Sequence, residues 1–214
     1  MEYALDTNAA RAGDKTSNFI NESGAYAGMF QRVEALISKE KGTHGIGFTF
    51  KTEDGASVNF DVWTVKGNGE KLSGFDAVQA IMTCMKVRGM KPEPMTVEKY
   101  DFEAKQTKMT QINGFPSLTG KPIGVFLQKE LSIYEGQEKS KMNLVGSFEP
   151  DTHLTASEIL DKSTTPKNYA SKLAWLEKTP VKDSRDKGGS IASNSAPASQ
   201  QIASFDDFES DIPF

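Results

Sequence analysis

The chain has 214 residues, 37% of them hydrophobic, and 25 Lys and Arg stand against 29 Asp and Glu for a net charge of −4. That is enough apolar material for one ordinary domain with extensions, and it excludes wholesale disorder. No apolar run is long enough to cross a bilayer, the start Met1-Glu2-Tyr3-Ala4-Leu5-Asp6 is acidic rather than signal-like, and the single Cys84 excludes an internal disulfide. A cytoplasmic protein is therefore expected, with no membrane contact. With only Cys84, His44 and His153 as soft ligands, no metal site and no cofactor are expected.

Residues 1–22 are polar and read as an N-terminal arm. From Ala25 to Ile37 a period of two sets Ala27, Met29, Val33, Ala35 and Ile37 against Tyr26, Phe30, Arg32 and Glu34, which predicts a strand. A second strand is predicted over His44–Lys51, with Ile46, Phe48 and Phe50 inward and Gly45, Gly47, Thr49 and Lys51 outward. Glu53-Asp54-Gly55 makes a turn, because Asp and Gly tolerate positive φ. The third strand, Ser57–Val65, alternates Val58, Phe60 and Val62 with Asn59, Asp61 and Trp63.

A helix follows, with Ser73 as its cap, Phe75, Val78, Ile81, Met82 and Met85 at helical spacing, and Gly89 as its stop. Residues 90–121 read as an irregular insertion holding one short strand, Val97–Ala104. Strands return at Ile123–Tyr134 and Lys141–Phe148, and Thr155-Ala156-Ser157-Glu158 is a capping box that opens short helices through Leu176. Residues 178–204 are rich in Gly, Ser, Ala and Gln and read as a flexible linker. The order strand, strand, strand, helix, strand, strand is that of the OB-fold, a five-stranded Greek-key barrel. The expected fold is thus mainly β: an OB-fold over 23–177, with a helix between strands 3 and 4, an insertion and C-terminal short helices.

The charge is unevenly divided. Residues 1–154 sum to −2 and residues 155–187 to +2, while the last 27 residues hold four acids and no base. A nearly neutral body therefore carries an acidic end, Phe205-Asp206-Asp207-Phe208-Glu209-Ser210-Asp211-Ile212-Pro213-Phe214. A terminal Phe offers a ring for an apolar pocket and a carboxylate for Arg or Lys, Pro213 restricts the backbone, and the acids steer towards basic partners.

This segment, after its Gly/Ser/Gln-rich linker, resembles the tail of bacterial single-stranded-DNA-binding proteins, although Glu209 and Ser210 interrupt the usual aspartate run. Lys41-Gly42-Thr43-His44-Gly45-Ile46 and the Trp63–Lys71 segment resemble, more distantly, phage- and prophage-encoded members of that group. The resemblance implies sequence-independent binding and protection of single-stranded DNA in replication, recombination or repair, without enzymatic activity. It implies that Asp206, Asp207, Phe208, Asp211, Ile212, Pro213 and Phe214 recruit partner proteins, and it is compatible with a homo-oligomer. Two other outputs fit the sequence: a strand-annealing recombination protein, and an adaptor whose tail captures host replication factors.

Single-strand binding needs rings under bases and cations along phosphates. OB-folds use the face of strands two and three, which nominates Trp63, Lys51 and Lys66 first. Tyr26 and Phe30 beside Arg32, and Phe126 and Tyr134 beside Gln128 and Glu130, are further outward rings by strand parity. Coverage is the alternative for each, by the N-terminal arm or the 155–176 helices at Tyr26 and Phe30 and by the insertion at Trp63. Lys105, Lys108, Lys121 and Lys129 lie in a stretch free of acids and read as phosphate contacts. Gly114 to Gly120-Lys121 fails as a phosphate loop, because the spacing is one residue too long and Pro122 stands where Ser or Thr must be.

Overall fold

A computed structural model describes residues 19–101 and 104–185, with Leu5 and Thr7. The tail at 205–214, most of the N-terminal arm and most of the linker lie outside the described residues. The described part is mainly β and antiparallel, and no helix in it is long and apolar enough to cross a membrane.

The first strands, β1 (Gly24–Ile37), β2 (His44–Thr52) and β3 (Ser57–Val65), form a meander. Gly55, at φ +94°, supplies the turn between β2 and β3. Their register sets Phe48 against Phe60 and Phe50 against Val58, all buried, as the alternation predicts.

β1 departs from simple alternation. Phe30 pairs with Phe50 and Arg32 with Thr49, so Gln31 is an extra, bulged residue. The bulge inverts parity within the strand. Before it, Tyr26 and Phe30 face the interior and Ala27 and Met29 face out; after it, Val33 is buried and Arg32 faces out. Phe30 is fully buried, against Phe48, Phe50 and Phe60, which corrects its reading as an outward ring.

The N-terminal half of β1 also pairs with β6 (Pro122–Tyr134), and β6 with β7 (Gln137–Phe148). β7 lies beside β3 without a ladder between them among the described residues, and helix α1 (Ser73–Cys84) packs against both. The main core lies inside this curved path, filled by Phe30, Phe48, Ile81, Ile123, Val125 and Leu127 among others.

Leu72, rather than Ser73, caps α1, its N–H donating to the Thr64 carbonyl as the chain turns off β3. The helix stops before Gly89, because Lys86 takes φ +55° just past Cys84. The residue 90–121 insertion is a long ribbon, β4 (Glu93–Asp101) paired with β5 (Gln106–Gly114), that joins β1 through the Glu34–Gly114 pair and through the Phe115 and Gly120 N–H groups, which donate to the Val33 and Phe30 carbonyls. The expected single strand at 97–104 is thus half of a hairpin.

Helices α2 (Ala156–Leu160) and α3 (Lys167–Lys178) follow, and the Thr155/Glu158 capping box is present at α2. α3 covers the outer side of β6, where Phe126, Phe148 and Leu176 form a second small core with Tyr169. Gly124 makes this close: a Cβ there would lie 2.2 Å from the Phe148 ring. The chain does not leave the body at residue 178, since β8 (Val181–Asp183) adds to β6 in parallel. Arg185 then pairs with Asp183 and Glu138.

Candidate functional site

Three same-face rows cross the outer side of the meander. Leu36, Gly45 and Trp63 form one; Glu34, Gly47 and Asp61 the next; Arg32, Thr49 and Asn59 the third. Successive rows are about 7 Å apart along the strands. The middle strand therefore offers two glycines and a threonine as a low floor between taller side chains.

Trp63 is held from both sides by absent side chains. A Cβ at Gly45 would lie 2.7 Å from indole Cε3, so the ring spreads over bare backbone. A Cβ at Gly74 would lie 2.2 Å from the Trp63 carbonyl, so the first turn of α1 seats directly behind it. The indole stays 39% exposed, and the insertion does not bury it.

Instead the insertion reaches β1. Met95, Val97 and Lys99 are the half-buried residues of β4, while their neighbours are exposed. Lys99 Nζ donates to Glu34 Oε1 at 2.9 Å, and Arg32 Nε lies 3.4 Å from the other Glu34 oxygen. Glu34 is thus neutralised by two cations. The Asp61 side chain makes no hydrogen bond or ion pair among the described residues, and its carboxyl is held above the ordinary value, first by burial and then by the Glu34 charge.

The other nominated residues scatter. Lys51 lies on the outer face, level with Met29 and Ser57, and Lys121 borders the same row because the next residue, Pro122, pairs with Met29. Lys66 is engaged by Glu70 at 2.8 Å across a tight turn. Lys108 pairs with Lys99 on the ribbon, and Lys105 turns its tip at φ +49°. Lys129 sits in mid-strand between β7 and β8. The acid-free stretch is therefore dispersed over the ribbon, a loop and a central strand, and forms no single basic loop.

Two more rings are corrected. Phe126 does face away from the main core, but it is fully buried because α3 lies over it. Tyr26 packs against the core and donates its hydroxyl to the Glu22 carbonyl at 2.8 Å, and burial, then the Glu22 charge, raises its phenol. Tyr134, on the Phe126 face of β6 but beyond the reach of β8, remains 64% exposed beside the Glu135-Gly136 turn.

Sequence reasoning missed Lys99, Lys141 and Lys182. The last two flank a groove of about 510 Å³ along the β3–β7 seam, next to Asp61 and Trp63. Both pair there with Glu130, which also accepts from Asn143 and Ser184. Burial alone would raise the Glu130 carboxyl, but these hydrogen bonds outweigh it and hold it down at about 2. A second cavity, of about 300 Å³, lies between α1, β7 and α3 with Lys172 at its wall, and burial lowers that ammonium to about 8. Among the described residues no three His, Cys, Asp or Glu side chains gather as a metal group.

No protein-family model matches this chain, and no curated protein matches it.

Proposed function

We propose that this chain is a non-enzymatic single-stranded-DNA-binding protein of the phage or prophage type, built on an elaborated OB-fold. It coats exposed strands during replication, recombination or repair in a bacterial cytoplasm. The strand path β3-β2-β1-β6-β7, with a helix between the third and fourth of these in chain order, supports the fold assignment.

The observation that carries the functional reading is Trp63, spread over Gly45 on the open face of β2 and β3. An exposed indole seated on bare backbone is a stacking platform that any base can use, which is what sequence-tolerant binding requires. Lys51, Lys121, Lys99 and Lys141 border that face and supply cations for phosphates. The acidic segment, through Asp206, Asp207, Phe208, Asp211, Ile212, Pro213 and Phe214, recruits replication and repair proteins.

The test is a titration of labelled oligo(dT) and of duplex DNA at two salt concentrations, following tryptophan fluorescence. Tight binding of the single strand, weakened by salt with a log–log slope of about −0.7 per phosphate contacted, supports the reading. Loss of the quench in Trp63→Ala, with Trp175 retained, assigns it to the stacking ring. Equal binding of duplex and single strand overturns it.

A further inference from the structure

The open face carries an acid at its centre, and that constrains how a nucleic-acid strand can lie on it. Asp61 is in the row next to Trp63, about one base width away. Its Oδ1 would come within 3.2 Å of a Cβ at Gly47, so the carboxylate leans over the glycine floor. Glu34, the other acid of the row, is engaged by Lys99 and Arg32, whereas the Asp61 side chain has no hydrogen bond or ion pair among the described residues. A phosphate placed there would meet a negative charge with no side-chain partner. Base edges carrying N–H donors would meet a ready acceptor.

Resting on the single-strand reading above, we infer that Asp61 turns the bases inward and selects among them, favouring a base that presents an exocyclic amine, cytosine above all, over uracil or thymine. Cytosine N4–H2 is the donor a carboxylate accepts from, whereas uracil and thymine present the O4 acceptor at the same position. The phosphates then run along the margins, near Lys99 on the ribbon side and Lys141 on the seam side, both close enough to act on the Asp61 charge. One row on, Thr49 Oγ1 donates to Asn59 Oδ1 at 2.6 Å, which occupies the amide oxygen and leaves the amide NH2 as a donor, so the acceptor at Asp61 is the one group of the outer β3 row suited to an amine.

Oligo(dC) and oligo(dU) of equal length test the effect, because their rings stack alike and differ only along one edge, N4–H2 and bare N3 in cytosine against O4 and N3–H in uracil. The full chain should bind oligo(dC) about 5-fold more tightly, the lower end of the range for one base contact. Asp61→Asn and Asp61→Ala should bring the ratio to within about twofold, mainly by improved oligo(dU) binding, while the remote Asp151→Asn leaves it unchanged. Equal gains for both oligomers in the Asp61 variants would reduce Asp61 to a repulsive charge and overturn the inference. So would a preference for oligo(dC) that survives both substitutions. If oligo(dT) binds with Trp63 quenching and the ratio ignores Asp61, only this inference fails; if no single strand binds, the functional reading fails with it.

Discussion

On β3 the outward row Asn59, Asp61, Trp63 stays open to solvent, whereas on β6 the outward row Phe126, Gln128, Glu130 is covered along its length. Both rows contain a ring and polar neighbours at alternate positions, and both face away from the main core. The difference comes from elsewhere in the chain. α3 brings Tyr169 and Leu176 onto Phe126, the Thr179 carbonyl accepts from Gln128 Nε2, and β8 with the residue after it sets Lys182 and Ser184 against Glu130. An outward ring thus stays open or becomes a core residue according to what a later segment does with it.

Truncating the ring on each face separates the two roles. Phe126→Ala should cost about 3–5 kcal/mol of folding stability, as loss of a buried aromatic does, read as a lower urea midpoint. Trp63→Ala should lower that midpoint less, since the ring is partly exposed, and should in addition weaken single-strand binding by about 1–3 kcal/mol, measured by anisotropy. If the two variants behaved alike in both assays, the distinction between the faces would collapse.

Acid sharpens the contrast further. The Glu130 pKa is depressed in the folded chain, so its stabilisation is complete above the ordinary carboxylate range and is lost as pH falls towards about 2. Asp61 is shifted the other way, so its ionisation destabilises the fold as pH rises through its raised value. Glu130→Gln should therefore flatten the acid limb of a stability–pH curve. Asp61→Asn should raise the melting temperature at neutral pH, with the gain vanishing in acid. Lys66→Ala should have the smallest effect on stability, since its exposed pair with Glu70 is screened by solvent.

The meander and α1 were legible because each buries one side, so side-chain polarity records the geometry at period two or 3.6. Trp63 was legible for the same reason, lying at the end of an alternation that runs unbroken from Val58 and is interrupted only at Thr64, the next residue. The ribbon was not: Gln106 to Gln111 are all exposed, so β5 has no apolar period to read, and Lys99 was missed with it. Phe126 was misread because its cover comes from Tyr169 and Leu176, more than forty residues later. β8 is three exposed residues held by backbone pairing, which leaves no mark in composition.

The bulge at Gln31 makes β1 sensitive to length in a way that ordinary substitution tables miss. Replacing Gln31, exposed and unpaired in the ladder with β2, by another polar residue should be nearly silent. Deleting it removes the phase slip, so Tyr26 and Phe30 could no longer point inward while Val33 does. A one-codon deletion there would have to evict one half of the strand from the interior, while a similar deletion in the Ser38–Thr43 loop would only shorten a connection. The strand tolerates changes of letter at that point, but not changes of count.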